Sequence, residues 1–344
     1  MIPYLVFLLA VSWCVNAGHA SWERSRVISV GDSAESTIDK RWLVIEPSPP
    51  RLRVWDGGEI KYCFENAVAL SKLLYPLAMA RDRWYSQGLP EDKFKMTEVS
   101  PAECQSNRAN VLLIKYNING VLSTTPGIPA LDPAHPTYVG PTMTLSDRTD
   151  VGMLDVEANY AHELGHAWGM LHEHQNAVFW KSPYTGGQSQ LFTFNCNALK
   201  DYQDVMAKTP DAAERELLCT NQKFASSKRF SAAEYLPILS PTRGPLIAIA
   251  QDDDVDWDSI MLYPSGAGGT GTASPDSDQR ANVLVRASDG SVIGKNKRLT
   301  NRDVAALMDL YARNPTPERA PLPNEPANKD YGKFLGIFKK NRCL

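Results

Sequence analysis

The chain of 344 residues contains only six histidines and six cysteines. Its formal net charge is −3 at pH 7, and it has no basic run interleaved with aromatic residues. A nucleic acid or an anionic membrane surface is therefore a poor candidate for its main partner. No stretch after residue 20 is apolar enough to cross a bilayer. The remaining composition, 43% hydrophobic and 22% charged, is ordinary for a globular protein with a sizeable core.

The cysteines show no Cys-x-x-Cys spacing, which would indicate a zinc knuckle or a thioredoxin-like redox site. The first of the six lies in an apolar N-terminal run, so five remain if that run is removed. We expect Cys196 and Cys219 to form a local disulfide. Cys63 is expected to pair with either Cys104 or Cys343, which leaves one thiol over.

The N-terminal run over residues 2–15, IPYLVFLLAVSWCV, is short for a transmembrane helix and is followed by small residues. It predicts a signal peptide over residues 1–20 and a secreted protein, with a membrane anchor as the weaker alternative. Residues 21–41 are polar and end in the pair Lys40-Arg41. This pair is either an ordinary solvated charge pair or a processing site that would make residues 21–41 a short propeptide.

The hydrophobic pattern predicts an α+β fold. Alternation over residues 59–64 and an apolar run over residues 110–116 predict two strands, and helical spacing predicts a helix over residues 67–85. Residues 142–145 predict another strand. It is expected at the edge of the sheet because Pro141 precedes it and proline cannot donate to a ladder.

A second long helix is predicted between Asp155, a good N-cap, and Gly169, a natural stop. The order of elements indicates a twisted mixed sheet with two long helices in the N-terminal half. The C-terminal half is less regular and ends in an amphipathic helix over residues 302–313. Residues 314–344 turn proline-rich and then basic, which is typical of a tail.

Four of the six histidines lie in one stretch, HELGHAWGMLHEH, over residues 162–174. Imidazole is the commonest metal ligand, and His162 and His166 lie one turn apart on the same helix face. Gly169 allows a sharp turn that can return His172 to the same ion. Three neutral imidazoles leave one coordination position open, so the stretch predicts a catalytic zinc site rather than a structural one.

Glu163 follows the first ligand, so we expect it beside the metal, where it can accept a proton as a general base. A bare His-x-x-x-His is usually a pair of solvated histidines. The full pattern His-Glu-x-x-His-x-x-Gly-x-x-His is far more demanding. His174 lies beyond the third ligand and is expected to be a hydrogen-bonding or structural residue. His19 and His135 have no partner that the sequence identifies.

This stretch resembles the zinc-binding sequence of the metzincin endopeptidases. A second segment, DWDSIMLY over residues 256–263, is similar to their methionine turn, which implies that Met261 lies beneath the zinc site. Within the metzincins, Glu173 and Tyr263 resemble the astacin family. The tyrosine of that family can ligate zinc at rest and move to the oxyanion during turnover. Weaker similarity to the first strand and last helix of astacins extends over residues 55–62 and 299–311.

The resemblance implies a metzincin-type catalytic domain of two subdomains over residues 42–313, with a cysteine-bounded insertion at about residues 190–240. It implies one catalytic Zn²⁺, a protein or peptide substrate, and a monomer. Gly169, Glu173 and Met261 would then support the site. An aspartate in the propeptide of this family can block the zinc, and Asp32 is similar to that residue.

The sequence therefore predicts a secreted zinc-dependent metalloendopeptidase. One alternative is a catalytically silent scaffold that binds peptides or a partner protein. Loss of Glu163 or of a ligand would indicate such a scaffold, and none of them is lost. Another is a zinc-sequestering protein with Tyr263 as a fourth ligand, but Glu163 would then serve no purpose.

Overall fold

The computed structural model describes residues 42–47, 51–131, 138–239 and 249–314. Its helices are α1 (Ala67–Ser86), α2 (Pro101–Ser106), α3 (Val156–Trp168), α4 (Tyr202–Ala207), α5 (Ala212–Thr220), α6 (Gln222–Ser227) and α7 (Asn301–Arg313). Its strands are β1 (Leu52–Arg53), β2 (Ile60–Phe64), β3 (Met96–Glu98), β4 (Leu112–Tyr116), β5 (Ser123–Thr124), β6 (Ile128–Pro129), β7 (Thr142–Leu145), β8 (Phe192–Phe194), β9 (Ala273–Ser274), β10 (Ser277–Asp278) and β11 (Leu284–Arg286).

Several sequence-based predictions lie outside these residues. They are the signal peptide, the propeptide with its Asp32, and the tail after Asn314. His19, His135 and Cys343 also fall there, so the structure bears on none of them.

The main sheet has five strands in the order β3-β2-β4-β7-β5. Strands β3, β2, β4 and β7 run parallel, and β5 is antiparallel to β7. The sheet is therefore mixed, and the predicted α+β class with two long helices in the N-terminal half is confirmed. The prediction that residues 142–145 lie at the edge is wrong, because β5 covers that side. Pro141 precedes the strand, so its missing N–H removes no bond from the ladder.

The two faces of the sheet are covered by different elements, as the alternation along β2 requires. Ile60 and Tyr62 pack into the main core beside α1 and α3, whereas Cys63 faces the opposite side. There it forms a disulfide with Cys104 of α2, which settles the choice of partner that the sequence left open. The predicted Cys196–Cys219 disulfide is also present.

Helices α1 and α3 pack against each other and hold the centre of the core. The indoles of Trp84 and Trp168 are fully buried, with ring centroids 5.8 Å apart. Each indole N–H finds a main-chain acceptor, Ala161 O for Trp84 and Gly58 O for Trp168. Loss of one such side chain typically costs about 3–5 kcal/mol. The helix that carries the histidines is therefore held rigidly.

The C-terminal half is irregular, as predicted, and contains short helices, the two-stranded pairs β8–β11 and β9–β10, and the final helix α7. Among the described residues, no helix is long and apolar enough to span a membrane.

Candidate metal centre

Helix α3 places the first two histidines of the cluster. The Asp155 side chain accepts the Ala158 amide at 2.9 Å and so caps the helix start. At the other end Gly169 has a φ of 110°, which is favourable only for glycine, and the chain reverses there. The amide of Met170 then donates to Gly165 O at 2.9 Å. This left-handed turn sends the chain back beside the helix and brings His172 to the other two histidines.

The three histidines converge through their Nε2 atoms. Nε2 of His166 lies 3.1 Å from Nε2 of His162 and 3.1 Å from Nε2 of His172. These side chains form the only group of three or more potential ligands that the described part of the chain brings together. All three are at most 3% exposed, so they lie in a medium of low dielectric constant.

The Nδ1 atoms of the same rings are each held by an oxygen acceptor. Ile260 O lies 2.7 Å from Nδ1 of His162, and Met170 O lies 2.8 Å from Nδ1 of His166. For His172 the acceptor is Oε1 of Gln175, at 2.8 Å. A neutral imidazole carries one ring proton, so each proton lies on Nδ1. The three Nε2 lone pairs therefore face one another.

This arrangement fits a zinc ion. Two Zn–N bonds of 2.0–2.1 Å at a tetrahedral angle separate the nitrogens by about 3.3 Å, close to the separations observed here. The residues His162, His166 and His172 can thus hold one Zn²⁺ ion, in agreement with the sequence.

The segment around Met261 lies directly under the histidine helix. A Cβ atom at Gly165 would come within 2.6 Å of the Met261 Sδ atom, so only glycine allows this close approach. The preceding residue, Ile260, supplies the carbonyl that receives the His162 ring proton. The segment therefore packs closely against the helix and also contacts one of the three histidines.

Asp303, on the final helix, fixes that turn from below. Its carboxylate accepts hydrogen bonds from the Ser259 hydroxyl at 2.6 Å, the Ile260 amide at 3.2 Å and the Thr300 amide at 2.8 Å. Burial raises the pKa of Asp303 to about 6, and these hydrogen bonds oppose the rise. Asn296 adds two further bonds, to the carbonyls of Trp257 and Ser259, both at 2.9 Å.

The remaining predicted site residues lie around the same centre. Glu163 is fully buried on α3, next to the first histidine. The ring of Tyr263 is also fully buried, with its centroid 4.3 Å from that of His172. The carboxylate of Glu173 accepts the Asp256 amide at 3.1 Å, and burial raises the pKa of Glu173 well above its usual range.

His174 stays outside the group of potential ligands, as expected. Its Nε2 lies 2.8 Å from Glu234 O, and its ring stacks on His172 with centroids 5.3 Å apart. The sequence alone does not reveal the parts that Gln175, Asn296 and Asp303 play. Only Asp303 left a signal, since Thr300 and Asp303 form a capping box at the start of α7.

The chain matches no protein-family model and no curated protein. Among solved structures it is similar to high choriolytic enzyme 1, a hatching enzyme zinc-protease from Oryzias latipes (medaka fish), with 11% identity and a TM-score of 0.43. That match covers 78% of this chain and 98% of the other. It is also similar to myroilysin, with 16% identity and a TM-score of 0.38, over 74% of this chain and 93% of the other. At these identities and TM-scores the likeness carries no chemistry over to this chain.

Proposed function

We propose that this chain is a secreted zinc-dependent endopeptidase that hydrolyses peptide bonds of proteins. One observation carries the proposal: three buried histidines direct unprotonated Nε2 atoms at a common point, and the helix that holds them also carries the buried Glu163. Three histidine ligands are the set of a catalytic rather than a structural zinc site. A buried carboxylate next to such a site has a use in hydrolysis, whereas metal storage gives it none.

When bound, a zinc ion in such a site supplies Lewis-acid polarisation of a carbonyl and makes water acidic enough to act as a nucleophile at neutral pH. In the proposed mechanism Glu163 accepts the proton from the attacking water. The same carboxyl then donates that proton to the departing amine. General acid–base catalysis of this kind contributes typically about 10²- to 10⁴-fold to the rate.

Tyr263 is proposed to stabilise the oxyanion that forms when the carbonyl carbon becomes tetrahedral. Its ring lies against His172 and is held among the rings of His174 and Tyr235 at 4.8 and 5.3 Å. In our proposal its hydroxyl donates a hydrogen bond that strengthens as charge develops. Removing one oxyanion donor in other enzymes lowers kcat by about 10²- to 10³-fold.

We also propose that the protein is exported from the cell and that its N-terminus is processed. Two disulfides in the described residues support an oxidising compartment. We propose that residues 1–20 are a signal peptide, that residues 21–41 are a propeptide in which Asp32 can block the zinc, and that residues 42–313 form the catalytic domain. Gly169, Glu173 and Met261 are proposed to support the site, and the enzyme is proposed to act as a monomer on protein or peptide substrates.

Glu163→Gln tests the role of the general base. The amide keeps the size of the side chain but cannot accept the proton, so we expect about a 10²- to 10⁴-fold loss of peptide hydrolysis with one zinc ion still bound per chain. Glu157→Gln on the same helix is the matched control. Its carboxylate lies near the surface and pairs with Arg83 at 2.7 Å, so turnover should not change. Wild-type hydrolysis by Glu163→Gln would refute the mechanism. A zinc-loaded wild type that cuts no peptide would favour the silent scaffold instead.

A further inference from the structure

The third histidine of the centre is oriented differently from the first two. Main-chain oxygens hold the Nδ1 atoms of His162 and His166, but a side chain, Gln175, holds that of His172. We propose that Gln175 is a positioning residue that keeps the ring proton of His172 on Nδ1 and so leaves Nε2 ready for the metal. This inference rests on the proposed zinc site and names a residue that the zinc motif does not contain.

The orientation of the Gln175 amide follows from its other contacts. Its nitrogen, Nε2, donates to Ala233 O at 3.0 Å and to Leu236 O at 3.2 Å. Both partners are carbonyl oxygens, which only accept hydrogen bonds, so the amide nitrogen must face them. The amide oxygen must then face His172. Because that oxygen can only accept, the ring has to donate from Nδ1.

The carbonyls that orient this amide belong to one segment, residues 231–238. The main chain of that segment is tied to the residues after the third histidine, since the Ile238 amide donates to Gln175 O at 2.9 Å. Nε2 of His174 also contacts this segment, at Glu234 O. The two stretches are thus joined by main-chain and side-chain hydrogen bonds in a region that is almost fully buried.

The 231–238 segment is itself fixed to its surroundings at two points. The amide and hydroxyl of Ser231 donate to the carboxylate of Asp201, and the Tyr235 hydroxyl donates to Ala267 O at 2.6 Å. A region that the sequence indicated only as an insertion therefore reaches the metal centre through Gln175. Removing a residue that hydrogen-bonds the other ring nitrogen of a metal-binding histidine typically lowers metal affinity by about 10- to 100-fold.

The first test measures the tautomer of His172 in the zinc-free full chain by long-range ¹H–¹⁵N NMR of the histidine rings, with His172→Asn used to assign the signal. The Nδ1–H tautomer is expected in the wild type, and its loss is expected in Gln175→Leu. The Nε2–H tautomer in the wild type would overturn the inference, and this outcome does not depend on how Gln175→Leu folds.

The second test measures zinc affinity by competition with a chromogenic chelator. Gln175→Leu should bind zinc about 10- to 100-fold more weakly than the wild type. Thr209→Val is the matched control, because it removes a buried side-chain hydrogen bond, to Val205 O at 3.0 Å, that lies outside the 231–238 segment. It should keep wild-type affinity. Equal affinity of Gln175→Leu and the wild type, or equal losses in both variants, would overturn the inference.

These outcomes separate the inference from the proposed function. If the wild type binds no zinc, the proposed function fails, while the tautomer of His172 still tests the role of Gln175. If the wild type binds zinc and Gln175→Leu binds it as tightly, the inference fails and the proposed function stands.

Discussion

The turn at Gly169 offers the sharpest link between backbone conformation and the metal centre. Gly169→Ala adds a single methyl group at a residue with a φ of 110°. The added Cβ would lie 3.0 Å from Cδ1 of Ile45 and 3.0 Å from Cδ2 of Leu310. Both side chains are buried, so neither has free space to move into. The variant therefore combines backbone strain with crowding of the core.

The magnitude follows from three terms. A non-glycine residue in the left-handed region costs about 1–2 kcal/mol. Crowding of a packed core adds about 1–3 kcal/mol. The lower entropy of the unfolded alanine chain returns about 0.4–1 kcal/mol. The free energy of unfolding should therefore fall by about 1–5 kcal/mol, a large part of the 5–15 kcal/mol typical of folded domains.

The assay is denaturant unfolding of the zinc-free chain, followed by tryptophan fluorescence. Gly88→Ala is the matched control: its φ is 106°, but a Cβ there would meet no atom within 4 Å. It carries the backbone strain without the crowding, so Gly169→Ala should be less stable than Gly88→Ala by about 1–3 kcal/mol. Gly169→Ala should also bind zinc more weakly, because the turn at Gly169 positions the next residue, Met170. The main-chain oxygen of Met170 lies 2.8 Å from Nδ1 of His166. Equal stability of the two variants would refute the reasoning.

Two further predictions concern the tyrosine beside the site and the aspartate beneath it. Tyr263→Phe should lower kcat by about 10²- to 10³-fold and leave zinc affinity nearly unchanged, and unchanged turnover would remove the tyrosine from the mechanism. The folded pKa of Asp303, about 6, lies above its ordinary value of 3.8, so its contribution to folding is present below about pH 4 and is lost as pH rises through 6. The variant Asp303→Asn has no titrating group at this position. Its free energy of unfolding minus that of the wild type should therefore rise by up to about 3 kcal/mol between pH 4 and pH 7.5, measured by urea unfolding. A difference that does not change with pH would contradict this account.

The parts of the fold that the sequence predicted well are those with local causes. The N-cap at Asp155 and the stop at Gly169 act within one turn, and the helix between them has the expected bounds. The alternation over residues 59–64 likewise predicted the strand β2. Very short strands such as β5, with two residues, carry too little pattern to be seen. The prediction that β7 lies at the edge of the sheet was wrong for that reason, because β5 is the strand that lies beside it.

The parts of the candidate site that the sequence did not reveal depend on contacts between distant residues. Gln175 gains its role through carbonyls nearly sixty positions away, and a backbone carbonyl leaves no mark in the sequence. Asp303 meets Ser259 across 44 positions. The three histidines could be predicted because one helix and one glycine turn bring them together. Their supporting partners could not, because packing of separate segments decides them.

The central claim is that the three histidines hold a zinc ion that makes the chain an endopeptidase. The most direct measurement is cleavage of a mixed-peptide library by protein processed to Trp42, with a zinc chelator, without it, and after zinc is restored. We predict cleavage within the peptides that the chelator abolishes and zinc restores. Cleavage that persists after the metal has been removed and its absence verified would contradict the claim, as would the absence of any cleavage by fully zinc-loaded protein.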